Sequence, residues 1–304
     1  MKNKKWVFNL LLYGSIPFLI VYLIKLDYFV FKVINFNYYW LILSIILLWS
    51  GFFFSTISWK YALKYHCFNI NTKCATISHG LSVFAKYIPG KIWVILGRAA
   101  YIAKNDIKLS GLSIISLKEQ LLYILIGLLI ALFPTLLYFN QDYWPLIIII
   151  TILSLVIFLF IKSLHDFLER LLARLFKRKV HFPIITLKFS LKLSGIIFFY
   201  WILWILGFFF LLLSINQDAN IISVFAFPLA VCYGVLAIVL PGGLGVREGI
   251  IAAFLTAVGL DIQTAVTISV ISRLWFITGE IFIFFLALIL RKTTSVSSVK
   301  KSYV

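Results

Sequence analysis

Long apolar blocks separated by short basic stretches limit what this chain can fold into more than any other feature. The block 146–161 holds no charged residue, and a single soluble core cannot use such a run. A helix needs about 20 mainly apolar residues to cross a hydrocarbon core about 30 Å thick. Six segments meet that pattern, at 6–24, 38–59, 112–137, 143–161, 193–213 and 263–290. Composition agrees: charged residues make up 12% of the chain, about half the share of a typical soluble domain. The opening Met1-Lys2-Asn3-Lys4-Lys5 and the run behind it look like a signal peptide. The run is too long for one, and no small-x-small cleavage site follows, so a retained first helix is expected.

The net charge of +18 is set by location rather than by partner. Lys2, Lys4 and Lys5 place the N-terminus inside, and Lys60, Lys64 and Lys73 mark the next inside loop. The stretch 162–192 holds Lys162, Arg170, Arg174, Lys177, Arg178, Lys179, Lys188 and Lys192, and the last span ends at Arg291 and Lys292. The loops 138–142 and 214–218 carry no Lys or Arg; only Lys25 and Lys32 fall outside. This is the positive-inside pattern, with both termini cytosolic, and it argues against nucleic acid as a partner. Within 162–192, Leu164, Phe167, Leu168, Leu171, Leu172, Leu175 and Phe176 recur at helical spacing among basic residues. They predict an amphipathic helix lying in the inner interface, either a sensor of anionic lipid or a plain anchor.

Two further apolar stretches are broken, 74–103 by Pro89-Gly90 and 221–259 by Pro241-Gly242-Gly243. Proline removes a backbone donor and glycine lowers helix preference, so both breaks are expected to be real. The halves of the first are too short to cross, which favours a re-entrant hairpin. In the second, 221–239 is long enough to cross, so its depth stays open. The first stretch starts and ends inside, the second outside, and each lies between spanning helices. The expected fold is therefore all-α and integral to the membrane. About six spans and two broken hairpins form an inverted-topology repeat over 38–137 and 193–290. Tyr87-Ile88-Pro89-Gly90-Lys91-Ile92 echoes Val239-Leu240-Pro241-Gly242-Gly243-Leu244. Residues 1–292 make one domain, with 162–192 as linker and 293–304 as a cytosolic tail.

Ionisable residues inside a membrane are functional candidates by default. Arg273 lies about 15 Å into the last span, near the midplane. Glu280 is on the same face but too far for a direct pair. Lys118 and Glu119 are adjacent and point apart, and Lys118 is near enough to the cytosolic end to snorkel. Arg247 and Glu248 follow the second break. These charges either pair across helices and hold the bundle, or line a polar path for a headgroup. Gly242, Gly243 and Gly245 allow a tight turn before a helix whose free amides, with Arg247, suit a phosphate. Lys86, Lys91 and Arg98 flank the first break and either collect inner-leaflet headgroups or snorkel.

No metal site or catalytic set emerges. Cys67, Cys74 and Cys232 fit neither a disulfide framework nor zinc spacing, and His66, His79, His165 and His181 form no helix-face pair. No Gly-rich Walker loop is present, and no cofactor is expected.

Lys86-Tyr87-Ile88-Pro89-Gly90-Lys91-Ile92-Trp93 with Gly97-Arg98, and Leu240-Pro241-Gly242-Gly243-Leu244-Gly245-Val246-Arg247-Glu248-Gly249, resemble the lysylphosphatidylglycerol synthase transmembrane-region family. This is the flippase-like domain that precedes the synthase domain of multiple peptide resistance factor proteins. Lys118-Glu119 stands where the family tends to carry a Glu-Arg-type pair, and Arg273 where it tends to carry an arginine. The resemblance implies a lipid translocator of the bacterial or archaeal cytoplasmic membrane. Without a synthase domain after residue 292, aminoacyl transfer is not expected, and a non-enzyme is. The substrate would be an anionic phospholipid, an aminoacyl-phospholipid or a polyprenyl-phosphate-linked lipid. Arg247 with the 242–245 backbone would hold the phosphate. Arg273, Glu119 and Glu280 would line the path, and Lys91 and Arg98 would recruit. Expected partners are membrane lipids, with a second copy or an envelope-synthesis protein as further candidates. The rivals are a non-transporting scaffold, an intramembrane glycosyl- or phospho-transferase and an ion-coupled solute transporter.

Overall fold

The computed structural model describes residues 36–88, 92–103, 109–138, 143–162, 164–166, 169–170, 187–216, 219–292 and 300–301. The predicted first span and most of the amphipathic linker lie outside them.

Nine α-helices, from 11 to 31 residues long, are formed among the described residues. Helix α1 (Tyr38–Tyr65) starts where the Asn37 side chain accepts from the Tyr39 amide. It ends before Cys67, whose φ of 64° turns the chain. The Asn71 side chain caps α2 (Thr72–Ser82) by accepting from the Cys74 amide. A 3₁₀ turn (Val83–Tyr87) follows, and Ile88 is extended, as the residue before a proline must be. Next come α3 (Ile92–Ile102), α4 (Leu109–Tyr138) and α5 (Trp144–Phe160), the last with Pro145 in its first turn. After α6 (Leu187–Ile215), a 3₁₀ turn (Ile221–Phe225) leads into α7 (Ala226–Leu236). A second short turn (Pro241–Gly243) precedes α8 (Val246–Ala257), and α9 (Ile262–Lys292) closes the bundle. Residues Phe68–Asn69 and Lys300–Lys301 pair as a minimal antiparallel ladder.

Four helices are long and apolar enough to cross a membrane: α1, α4, α6 and α9. The expected span at 143–161 forms α5, which has 17 residues and reaches about 25 Å. It is an apolar helix short of the usual spanning length. The stretch 221–239 does not form one helix. It divides into a 3₁₀ turn of five residues and an α-helix of eleven. The break at Pro241-Gly242-Gly243 is real; Pro89-Gly90 lies outside the described residues, and the elements on either side of it are Val83–Tyr87 and Ile92–Ile102. No described helical arm of either hairpin reaches about 20 residues.

The long helices α1 and α6 pack along each other. The Ser44 hydroxyl donates to the Gly207 carbonyl at 2.6 Å, and the Trp204 indole donates to the Leu48 carbonyl at 3.2 Å. Such interhelical bonds matter where lipid removes the hydrophobic drive for helix association. Each hairpin, α2–α3 and α7–α8, packs its second arm on the long helix that follows it, α4 and α9 respectively. Each lays its first arm on the other half's long helix, α2 on α9 and α7 on α4. The two hairpin turns meet, Val83–Tyr87 against Pro241–Gly243. Large apolar side chains such as Phe133, Leu153 and Phe285 face outward, as a lipid-facing surface requires.

Candidate functional site

Where the hairpin turns meet, side chains from both hairpins and from α1, α4, α6 and α9 surround a cavity of about 140 Å³. Aromatic rings form much of its wall, among them Phe52, Tyr123, Tyr200, Trp204 and Phe276. Trp201, behind them on α6, stacks on Tyr123 at 4.8 Å and donates to the Tyr123 carbonyl at 3.0 Å. These large, mutually braced rings give the wall a rigid floor.

Charge enters this apolar setting in matched sets. Arg98 on α3 pairs with Glu119 on α4 at 2.9 Å and donates to the Ser116 hydroxyl at 2.8 Å. Its guanidinium lies 4.7 Å from the centre of the Trp59 ring. Glu119 completes its shell by accepting from the Ser58 hydroxyl at 2.8 Å. Lys86, on the first hairpin turn, pairs with Glu280 on α9, which also accepts from the Tyr87 hydroxyl at 2.8 Å. Arg273 donates to the Gly242 carbonyl at 3.1 Å, lies 5.2 Å from the Tyr87 ring centre and is 4.0 Å from Glu248.

Arg247 differs. It is 5% exposed and lines the cavity, yet no described carboxylate pairs with it and it makes no described hydrogen bond. Its guanidinium lies over Phe276, 4.5 Å from the ring centre. Lys86 sits 5.1 Å from the same ring. Among the described residues of this cluster, the cations Lys86, Arg98, Arg247 and Arg273 face the carboxylates Glu119, Glu248 and Glu280. One positive charge is left over.

The model of the lysylphosphatidylglycerol synthase transmembrane region matches residues 6–279. The chain belongs to this family. No curated protein and no solved structure matches it. Membership and the helical architecture fit a multi-pass membrane protein with a lipid-related role.

In this member of the family, the turn at 242–245 is bonded largely within the protein. The expected cradle of free amides at 242–245 is largely taken. The Gly245 amide donates to the Glu248 carboxylate at 2.7 Å, so that side chain caps α8 and supplies the anion its N-terminus favours. The amides of Gly243 and Leu244 bond to the carbonyls of Leu240 and Pro241. Gly242 is required for another reason. It holds φ at 61°, and a Cβ there would stand 2.5 Å from Tyr87 and 2.6 Å from Arg273 Nη2. The motif thus seats Arg273 and turns Arg247 into the cavity.

Other expected positions also move. Arg98 neither snorkels nor opens to the inner surface, because Glu119 and Ser116 hold it inside. Lys118 does not snorkel either. It is 2% exposed, outside the cavity wall and within electrostatic reach of Glu169. Burial, then the Lys118 ammonium, lowers the pKa of His66 at the end of α1 to about 4. Lys91 lies outside the described residues. Gln120, Tyr123, Tyr200 and Phe276, which line the cavity, were not singled out by sequence. A polar glutamine inside an apolar helix, next to Glu119, was the available signal for one of them.

Proposed function

We propose that the protein carries a phosphate-bearing lipid between leaflets, with the headgroup passing through the central cavity while its tails stay in the bilayer. The observation behind this reading is Arg247, a buried cation facing a cavity with no described carboxylate at ion-pair distance, Glu248 and Glu280 acting on it only from further away. An uncompensated buried charge costs several kcal/mol, and a headgroup phosphate would offset that cost by a charge-assisted, bidentate contact. The substrate class is an anionic phospholipid, an aminoacyl-phospholipid or a polyprenyl-phosphate-linked lipid. We read the cavity as a conduit rather than a catalyst.

The packing of each hairpin against the other half's long helix supports an inverted-topology repeat, the arrangement in which broken helices hold a substrate near the midplane. The distribution of Lys and Arg supports a reading with both termini in the cytosol, and the family resemblance supports a bacterial or archaeal cytoplasmic membrane. Partners beyond membrane lipids, including a second copy, belong to the same proposal.

The test is leaflet exchange in proteoliposomes, measured with acyl-labelled lipids and a quencher that cannot cross. Wild-type protein should accelerate exchange of a phosphate-bearing lipid. Arg247→Ala should reduce the rate to that of protein-free vesicles, and Arg247→Lys should retain part of it. A folded Arg247→Ala protein working at the wild-type rate would overturn the assignment.

A further inference from the structure

We propose that the cavity selects a headgroup with one phosphate and an uncharged, hydroxyl-bearing remainder, and rejects headgroups that carry an ammonium. This rests on the translocation reading and narrows it. The argument is one of charge and of the polar atoms left over on the wall.

A cationic headgroup needs a carboxylate that is not already engaged. The wall offers none among the described residues. Glu119 is held by Arg98 and Ser58, and Glu280 by Lys86 and Tyr87. Glu248 does not line the cavity: one carboxylate oxygen caps α8, and the other, without a hydrogen bond, lies 4.0 Å from Arg273. The surplus in this cluster is positive, and it sits at Arg247 on the cavity wall. A headgroup with a phosphate and an ammonium leaves that surplus in place. An aminoacyl ester with two ammonium groups doubles it in a setting of low dielectric, where like charges repel most strongly. A lone phosphate cancels it.

The aromatic faces do not rescue an ammonium. Cations bind ring faces, but Phe276 already carries both Lys86 and Arg247. Tyr123 is stacked with Trp201 and with Tyr200. Arg247 aside, the atoms left without a hydrogen bond on the cavity wall are neutral. The Gln120 amide oxygen is buried at the cavity wall without a hydrogen-bond partner, and so is Nδ1 of His79. A buried polar atom without a partner is rare in a folded protein and calls for an explanation. Hydroxyl groups donate and accept, so a polyol or sugar remainder can meet both. Both line the same cavity as Arg247.

The experiment compares acyl-labelled phosphatidylglycerol with its lysyl ester in proteoliposomes of the full chain. A second readout is thermal stabilisation of the detergent-solubilised protein by short-chain forms of the same two lipids. Phosphatidylglycerol should exchange at least ten-fold faster and stabilise selectively. Gln120→Glu, which places a carboxylate on the wall, should narrow or reverse that ratio. Equal or faster exchange of the lysyl ester by wild-type protein would overturn the selection and leave translocation standing. Selective stabilisation without exchange of either lipid would overturn translocation and leave the selection standing. Neither exchange nor stabilisation by either lipid would overturn both.

Discussion

Removing the Arg98 guanidinium would leave the Glu119 carboxylate buried with only Ser58 to answer it. Breaking a buried pair from one side costs about 3–5 kcal/mol, whereas removing both partners is often close to neutral. Thermal unfolding in detergent should therefore show Arg98→Ala markedly destabilised, and Arg98→Leu with Glu119→Leu restored most of the way. Arg247→Ala should behave in the opposite sense. It deletes a buried charge with no described carboxylate at ion-pair distance, so its unfolding midpoint should equal or exceed the wild-type value. A midpoint as low as that of Arg98→Ala would mean that Arg247 is a structural residue after all. Sequence exposed the candidates at this scale but not their partners. Arg273, Glu280 and Glu119 stand out because each interrupts an apolar helix. That Glu280 meets Lys86 depends on how α9 is rotated against the first hairpin, which residue spacing alone does not specify.

At the scale of elements, the two breaks were legible because proline and glycine act locally. The role of the second break was not, since it depends on a carbonyl. Gly242 offers its carbonyl to Arg273 only while φ stays at 61° and Tyr87 can lie against its α-carbon. Gly242→Ala should displace this turn and cost about 1–3 kcal/mol. Exchange should fall along with stability, because the same turn orients Arg247. Unchanged stability in the alanine variant would show that the turn adapts without harm. The cap on α8 was missed for a related reason. Glu248 three residues after Gly245 can reach back to the amide it caps, so the nearest anion at this helix start is the protein's own.

At the scale of the whole molecule, the side assignment rests on lysines and arginines, which mark a cytosolic face by their number. Cys67 is exposed just beyond α1, on the face assigned to the cytosol. A variant with Cys74→Ser and Cys232→Ser should react with an impermeant maleimide in inside-out vesicles and stay unreacted in right-side-out ones. The reverse result would invert the molecule. The packing centre was less legible, since nothing in the sequence says that both hairpins reach the same aromatic ring. Lys86 comes from the first hairpin, Arg247 from the second, and Phe276 belongs to the helix between them. Each contact is worth about 0.5–2 kcal/mol. The ring is thus a shared bearing: a hairpin displaced far enough to lift its cation would give up its own contact there while the other kept its own.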